Sequence, residues 1–199
     1  MNDQIWWYVA RGSGVVAWAV MALGIFWGLA LSSRFLGKRP KPNWMLDLHR
    51  FLGGMSVVFV GMHLASLVFD SYISFGFVDI VLPGATAYRP IAVAWGVIGL
   101  YLLAAVQATS MLRKHISNRA WRRTHFLSFP LFLVSTVHLL AIGTDSTNPL
   151  LRWTVLTTVV AIAIATAVRI ARSDRQPPAQ PGNQRIPRQL VRVPTTTGV

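Results

Sequence analysis

Residues 49–63, HRFLGGMSVVFVGMH, and residues 125–138, HFLSFPLFLVSTVH, decide the fold. Each stretch begins and ends with a histidine, and neither has a charged residue beyond position 50. The hydrocarbon core of a membrane is about 30 Å thick and needs about 20 predominantly apolar residues to be crossed by a helix. Both stretches lie inside apolar runs of roughly that length, so we predict that they belong to transmembrane helices.

Three more apolar runs of this kind occur along the chain. The five predicted spans are Gly14–Leu31, Phe51–Phe69, Ile91–Met111, Phe126–Ile142 and Leu150–Ile170. Lipid offers no partner for an unpaired backbone group, and the runs lack the alternation of strands. We therefore predict an all-α integral membrane helical bundle of about five transmembrane helices.

The positive charges set the predicted orientation and account for the net charge of +13. Residues 34–50 and 113–123 contain five Lys or Arg each, and residues 169–199 contain six. Three basic residues fall on the other side of the bundle: Arg11, Arg89 and Arg152. The positive-inside rule then places the N-terminus outside and the C-terminus in the cytoplasm of a multi-pass plasma membrane protein. We expect lipid contact and no nucleic-acid partner.

We divide the chain into three regions. Residues 1–12 form an aromatic outer interfacial lead-in, residues 13–172 form the transmembrane bundle, and residues 173–199 form a disordered basic cytoplasmic tail. The longest connection, residues 70–90, is apolar and aromatic. We expect it to lie along the outer interface or to cap a site from outside.

Four of the five histidines lie in or beside the predicted spans: His49, His63, His125 and His138. Ionisable residues inside a bilayer are costly and usually face the bundle interior for a functional reason. The members of each helical pair are about 20 Å apart along the helix axis. Because the second and fourth spans run in the same direction, His49 is level with His125 and His63 with His138.

Two imidazoles at each level indicate the cofactor. They make a poor zinc site, which needs three or four protein ligands. They suit haem, because the porphyrin already supplies four equatorial nitrogens. The four histidines are therefore predicted to be axial ligands of haem iron in the core of the bundle. Two axial histidines leave no open position for substrate, which favours electron transfer over bond chemistry at the metal.

The fourth span carries a geometric difficulty. Residues fourteen positions apart, as His49 and His63 are, lie within about 40° of the same helix face. Residues thirteen positions apart, as His125 and His138 are, differ by about 140° around the helix axis. A kink at Pro130, or a frayed turn at His125, is needed to aim both rings at the second span. Two haems are expected with such a distortion, and one without it.

Neighbouring residues favour cofactor binding. Arg50, Arg122 and Arg123 adjoin the cytoplasmic-side histidines and could pair with haem propionates, or they are ordinary positive-inside residues. Gly53, Gly54 and Gly61 would let a flat porphyrin approach the second span. The fifth histidine, His115, is expected to be a solvated loop residue. No cysteine is present, which excludes disulfides, thiolate ligands, iron–sulfur clusters and covalently attached c-type haem.

Several short motifs resemble the ferric reductase-like transmembrane domain family. They are Leu48–Gly53, Met62–Leu64, Trp121–His125, Val137–Leu139 and Ile142–Asp145, within a resemblance that covers roughly residues 15–165. The family includes ferric reductases, the membrane part of NADPH oxidases and the haem subunit of the bacterial methionine sulfoxide reductase system. The resemblance implies that b-type haems, one held by His49 and His125 and one by His63 and His138, carry electrons across the membrane.

The sequence departs from the family in two ways. The family often has six spans where five are found here, and no G-x-G-x-x-G run follows a strand to mark a flavin and nicotinamide domain. The resemblance therefore implies a cytoplasmic flavoprotein or quinol donor, with FMN or FAD on the partner, and an extracytoplasmic redox acceptor.

Two other functions stay open. The chain could be the haem subunit of a periplasmic methionine sulfoxide repair system. It could also be a non-redox transporter or assembly protein whose histidines relay protons or tie helices together. No nucleophile–base set accompanies the histidines, so no catalytic residues of its own are predicted.

Overall fold

The computed structural model describes residues 4–32, 43–70, 75–143 and 147–174. These residues form seven α-helices and no strand: α1 Gln4–Ser32, α2 Asn43–Phe69, α3 Phe77–Val81, α4 Pro90–Met111, α5 Asn118–His125, α6 Ser128–Ile142 and α7 Pro149–Asp174. Nearly all of the predicted cytoplasmic tail, most of the basic run 34–50, and Thr144 and Asp145 of the last family motif lie outside the described residues.

Five segments are long and apolar enough to cross a membrane, which confirms the predicted helical bundle. They are α1, α2, α4, the α5–α6 segment taken together, and α7 as far as Arg172. Large apolar side chains such as Phe51, Met62 and Leu156 are exposed on the outside of the bundle, where lipid can cover them. The first span is longer than predicted, because α1 starts at Gln4 and includes the aromatic lead-in.

The helices pack in two main pairs. α1 lies against α2 and α4 lies against α6, while α1 also contacts α6 and α7. The two histidine-bearing spans, α2 and α5–α6, are not among the closely packed pairs in the described part of the chain. A gap between these two spans therefore runs through the centre of the bundle.

A buried cluster in the middle of the bundle joins α1, α6 and α7. It consists of Trp18, Ala22, Phe132, Val155 and Ile162. The indole Nε1 of Trp18 donates to the hydroxyl of Thr136 at 2.9 Å, and that hydroxyl donates to the carbonyl of Phe132 at 2.7 Å. The ring of Trp18 stacks on Phe132 with 5.8 Å between centroids. The cluster thus combines apolar packing with a fully satisfied polar link between α1 and α6.

The fourth span is broken between α5 and α6, close to His125. Proline has no N–H, so Pro130 cannot donate to the carbonyl of Phe126 as a helix requires. The N–H of Phe129 donates to that carbonyl instead, at 3.2 Å, and the N–H of Leu127 donates to Thr124 at 3.0 Å. These three-residue hydrogen bonds tighten the chain one turn before the proline. The distortion predicted from Pro130 is present, and it lies between the two histidines of the span.

An arginine connects the first residues of α4 to the last turn of α6. Arg89 precedes Pro90, the first residue of α4, and has the left-handed backbone conformation with φ of 41°. Its guanidinium donates to the carbonyl of Ala141 at 3.0 Å, in the last turn of α6. Carbonyls of a last turn lack helical partners, and a cation is favourable there. This contact helps to hold the segment of α6 that carries His138 against α4.

We expect the buried link between Trp18 and Thr136 to contribute measurably to stability. Trp18→Phe and Thr136→Val should each lower the free energy of unfolding by about 0.5–1.5 kcal/mol, because each removes one side of the same hydrogen bond. The double variant should cost less than the sum of the single changes. Unfolding in mixed detergent micelles measures these energies, with Trp153→Phe on the exposed face of α7 as the control. Additive effects would show that the bond does not couple α1 to α6.

Candidate functional site

The four span histidines meet in two pairs in the gap between α2 and the fourth span. The ring centroids of His49 and His125 are 5.9 Å apart, and their planes cross at 75°. The centroids of His63 and His138 are 6.4 Å apart, with planes at 84°. The structure therefore brings together the same partners that the spacing paired, at two levels of the bundle. His115 is exposed in the turn after α4, where its backbone N–H donates to the carbonyl of Leu112.

The ring separations fit one metal ion between each pair. A metal–imidazole bond is about 2.0–2.1 Å long in protein zinc sites, and each centroid lies roughly 1 Å behind its nitrogen, so two rings on one metal have centroids about 6 Å apart. No group of three or more His, Cys, Asp or Glu side chains converges in the described residues. Each pair thus offers two imidazoles and no further protein ligand, the donor set that a haem, with four nitrogens of its own, would require.

The outer pair, His63 and His138, is held by the backbone of two neighbouring helices. Nδ1 of His63 lies 2.7 Å from the carbonyl oxygen of Ala10 on α1. Nδ1 of His138 lies 2.8 Å from the carbonyl oxygen of Ala92 on α4. A carbonyl only accepts, so Nδ1 is the protonated donor in both rings, and Nε2 keeps its lone pair for a metal.

The inner pair, His49 and His125, is held differently. Nδ1 of both rings is buried and has no hydrogen-bond partner among the described residues. The ring of Trp121 stacks on His125 with 5.2 Å between centroids and 22° between planes, and the guanidinium of Arg113 lies 4.3 Å above the Trp121 ring. Nε1 of Trp121 is likewise buried without a partner in the described chain. Unpaired buried donors of this kind fit a site that takes a group bearing acceptor oxygens.

A cavity surrounds the outer pair, His63 and His138. Its walls come from α1, α2, α4 and α6, and they include both rings of the outer pair. Phe75, Asp79, Ile80 and Tyr88, from the connection after α2, also line it. The described part of this connection therefore covers the outer site, one of the two positions expected for it.

The predicted arginines lie around the inner pair at the surface. Arg50 is exposed and forms an ion pair with Asp47 at 3.2 Å. Arg122 and Arg123 are exposed on α5. Sequence reasoning missed Arg113 and Trp121 as neighbours of His125. The spacing of Trp121 and His125, four residues apart on one short helix, is the signal that could have found the stacked pair.

The glycines that contact the histidine rings lie on other helices than the glycines predicted to face a porphyrin. Gly53 lies against Gln107, whose side-chain amide donates to the Gly53 carbonyl. A Cβ built on Gly54 or Gly61 would meet nothing within 4 Å in the described structure. The histidine rings instead contact three glycines of other helices: Gly14, Gly28 and Gly96. Each follows a small residue by four positions, at 10/14, 24/28 and 92/96, and this repeated spacing is the signal that was overlooked.

The backbone bonds of the outer pair predict the tautomers of the haem-free protein. ¹⁵N chemical shifts of histidine-labelled protein should show His63 and His138 protonated at Nδ1 and unprotonated at Nε2, because each ring donates to a carbonyl through Nδ1. His63→Gln and His138→Gln assign the signals, and the exposed His115 serves as the reference for a ring without this restriction. Protonation of either ring at Nε2 alone would contradict the geometry.

Comparison with known protein families gives one match. Residues 13–136 match the family described as the ferric reductase like transmembrane component, which covers more than half of the chain and ends two residues before His138. No curated protein and no solved structure matches the chain. The chain therefore belongs to the ferric reductase-like transmembrane component family, whose role is electron transfer in membranes.

Proposed function

We propose that this chain carries electrons across the membrane through two b-type haems. His49 and His125 would hold the inner haem, and His63 and His138 the outer one. The observation that carries the proposal is the pairing of these rings at two levels, with centroids 5.9 and 6.4 Å apart. A role for the histidines in tying helices together does not account for the two unpaired Nδ1 atoms at the inner level.

The chain supplies ligands, orientation and insulation. When bound, the haem irons alternate between the ferric and ferrous states and so accept and release single electrons. Each histidine pair would hold one haem iron from both faces, which would leave no site there for substrate. The carbonyls of Ala10 and Ala92 orient the outer rings. Apolar walls such as Val97, Leu100 and Leu103 line the outer cavity and disfavour water there.

The charges favour an inner pair on the cytoplasmic side. The connection between α4 and α5 and the α5 helix expose Arg113, Lys114, Arg119, Arg122 and Arg123, and the positive-inside rule assigns such a cluster to the cytoplasm. This orientation places the N-terminus outside and the C-terminus inside the plasma membrane. The basic surface also suits propionates of the inner haem, with Arg122 and Arg123 preferred over Arg50, which already pairs with Asp47.

The proposed path needs partners at both ends. Two axial histidines provide no place for hydride or substrate chemistry at the metal, so electrons must arrive singly from a cytoplasmic flavoprotein, with its own FMN or FAD, or from the quinol pool. They leave to a redox acceptor outside the membrane. The basic tail, residues 173–199, would bind anionic lipid on the cytoplasmic side, and residues 1–12 would lie at the outer interface.

Haem content tests the ligand assignment. Protein expressed with haem supplementation and purified in detergent should contain two b-type haems per chain by the pyridine haemochrome assay. His63→Ala or His138→Ala should remove the outer haem alone, and His49→Ala or His125→Ala the inner one, because one imidazole cannot hold the metal against loss of its partner. His115→Ala is the matched control and should keep both.

Each other result has a defined meaning. A colourless protein would contradict the electron-transfer function and favour the transporter or assembly alternative. One haem per chain would overturn the two-site assignment and favour the haem subunit of a repair reductase. Equal losses in His115→Ala and the other four variants would show that the histidines act on folding and not as ligands.

Electron transfer across a bilayer tests the function itself. Vesicles with ferricyanide trapped inside and dithionite added outside should bleach the ferricyanide when they contain the haem-loaded chain. His49→Ala and His63→Ala should reduce bleaching to the rate of protein-free vesicles, because the two levels are about 21 Å apart along α2 and one haem cannot bridge both surfaces. His115→Ala should bleach at the full rate. Full-rate bleaching by a variant that has lost the haem at one level would contradict an electron path through both levels.

A further inference from the structure

We propose that glycines on α1 and α4 are positioning residues for the axial histidines, a role that rests on the proposed function for its effect on haem. Each glycine opens the backbone carbonyl four residues before it to an imidazole Nδ1–H. We call each such combination a carbonyl notch. The two notches are Ala10 with Gly14 facing His63 and Ala92 with Gly96 facing His138; the ring of His49 also contacts a glycine, Gly28, but its Nδ1 has no hydrogen-bond partner in the described chain.

An ordinary helix would not admit these contacts. The carbonyl of residue i accepts the N–H of residue i+4 and has a second lone pair to offer. Side chains in a helix point towards its N-terminus, so the side chain at i+4 covers the carbonyl of residue i. Glycine at i+4 removes that cover. A neighbouring helix can then bring a donor to the second lone pair without breaking the first hydrogen bond.

The distances show how little room each notch leaves. A Cβ on Gly96 would lie 2.6 Å from Cε1 and 2.8 Å from Nδ1 of His138. On Gly14 it would lie 3.1 Å from Nδ1 of His63, and on Gly28 3.3 Å from Cε1 of His49. All four separations are shorter than ordinary van der Waals contact. A methyl group would therefore displace each ring, and it would displace His138 most strongly, at Gly96.

Small residues on α1 have the same spacing along the chain as the histidines on α2. Ala10 and Gly24 are 14 residues apart, as are His49 and His63. α1 and α2 are consecutive spans that run in opposite directions and pack closely along their length. One face of α1 therefore presents the Gly14 notch to His63 and Gly28 to the ring of His49, with the residue order reversed.

α4 supplies a notch at the outer level only. His125 and His138 are thirteen residues apart. On α4, the residues thirteen positions after Ala92 and Gly96 are Ala105 and Thr109, so these two would form the notch at the inner level. The hydroxyl of Thr109 donates to the Ala105 carbonyl at 2.7 Å and occupies the lone pair that a notch would expose. Nδ1 of His125 accordingly has no partner in the described chain. The outer pair is thus held by two backbone bonds, and the inner pair is not.

This asymmetry has a chemical consequence. An imidazole that donates through Nδ1 is a stronger electron donor through Nε2, and its orientation and tautomer are set. Stronger donation stabilises ferric over ferrous iron. The notches at Gly14 and Gly96 therefore lower the reduction potential of the outer haem and raise its affinity. Loss of either notch should act in the opposite direction.

Alanine substitution at Gly14 and Gly96 tests the two notches, and Gly12, a glycine of α1 that contacts no histidine, serves as the control. Gly96→Ala and Gly14→Ala should weaken outer haem binding by about 10–100-fold, the usual cost of losing an outer-shell partner, with Gly96→Ala the more severe. In the haem that remains, the outer midpoint potential should rise and the low-spin ferric EPR signal should shift, while the inner haem keeps both values. Gly28→Ala should alter the inner haem alone.

The control is Gly12→Ala on α1, whose new methyl group would meet no described atom within 4 Å. It should leave both potentials and both EPR signals unchanged. Unaltered outer-haem values in Gly14→Ala and Gly96→Ala, equal to those of Gly12→Ala, would overturn the proposal even though the protein binds two haems.

A haem-free measurement keeps the two proposals separate. In the ¹⁵N spectrum of the apoprotein, Gly14→Ala should release His63, and Gly96→Ala should release His138, from the Nδ1-protonated tautomer, whereas Gly12→Ala should not. The methyl group of Gly14→Ala makes a less severe contact with its histidine, so this variant still tests the proposal if Gly96→Ala does not fold. If the wild-type chain takes no haem, the proposed function fails, yet this tautomer shift still supports the notches. If no shift is seen, the notches fail whatever the haem content.

Discussion

A histidine ring inside a bilayer needs a partner for its N–H, and the helix backbone ordinarily has no exposed acceptor to offer. Lipid provides none, and most carbonyls are covered by side chains of the next turn. Much of the arrangement follows from this constraint at the outer level. His63 and His138 each lie against a carbonyl of the helix that packs on their own, α1 for α2 and α4 for α6. The two close helix pairs are therefore also the two histidine-holding pairs.

The inner level is built on other interactions. The fourth span breaks after His125, because Pro130 withholds a donor from the turn before it. The short α5 helix can then bring His125 to His49 without following the helical phase of His138. Its ring is held by stacking on Trp121, with Arg113 above, and not by a backbone bond. The two levels thus share a pair of histidines but differ in the contacts that hold the rings and in the charge nearby, which gives two histidine pairs of different character on one scaffold.

The two levels also define what the chain needs from other molecules. Each pair has two nitrogens and no third protein ligand close by in the described residues, so the remaining coordination must come from the cofactor itself. In the proposed function, histidines on both faces of each haem would leave the chain with the task of passing electrons on. The basic face around α5 and the covered outer cavity lie at opposite ends of this path. Donor and acceptor are accordingly expected to meet quite different surfaces.

The amino-acid sequence by itself determined the all-α bundle, its five spans and the pairing of histidines at two levels. These depend on hydropathy, helix rise and the alternation of spans, which act along the chain and need no knowledge of neighbours. The tertiary structure alone decided which glycines contact the histidine rings, namely Gly14, Gly28 and Gly96. It also decided that Trp121 covers His125 and that the chain tightens before Pro130 and not at it. Contacts between helices depend on their relative register and rotation, and the free energies that set these are sums of many small packing terms that no single segment encodes.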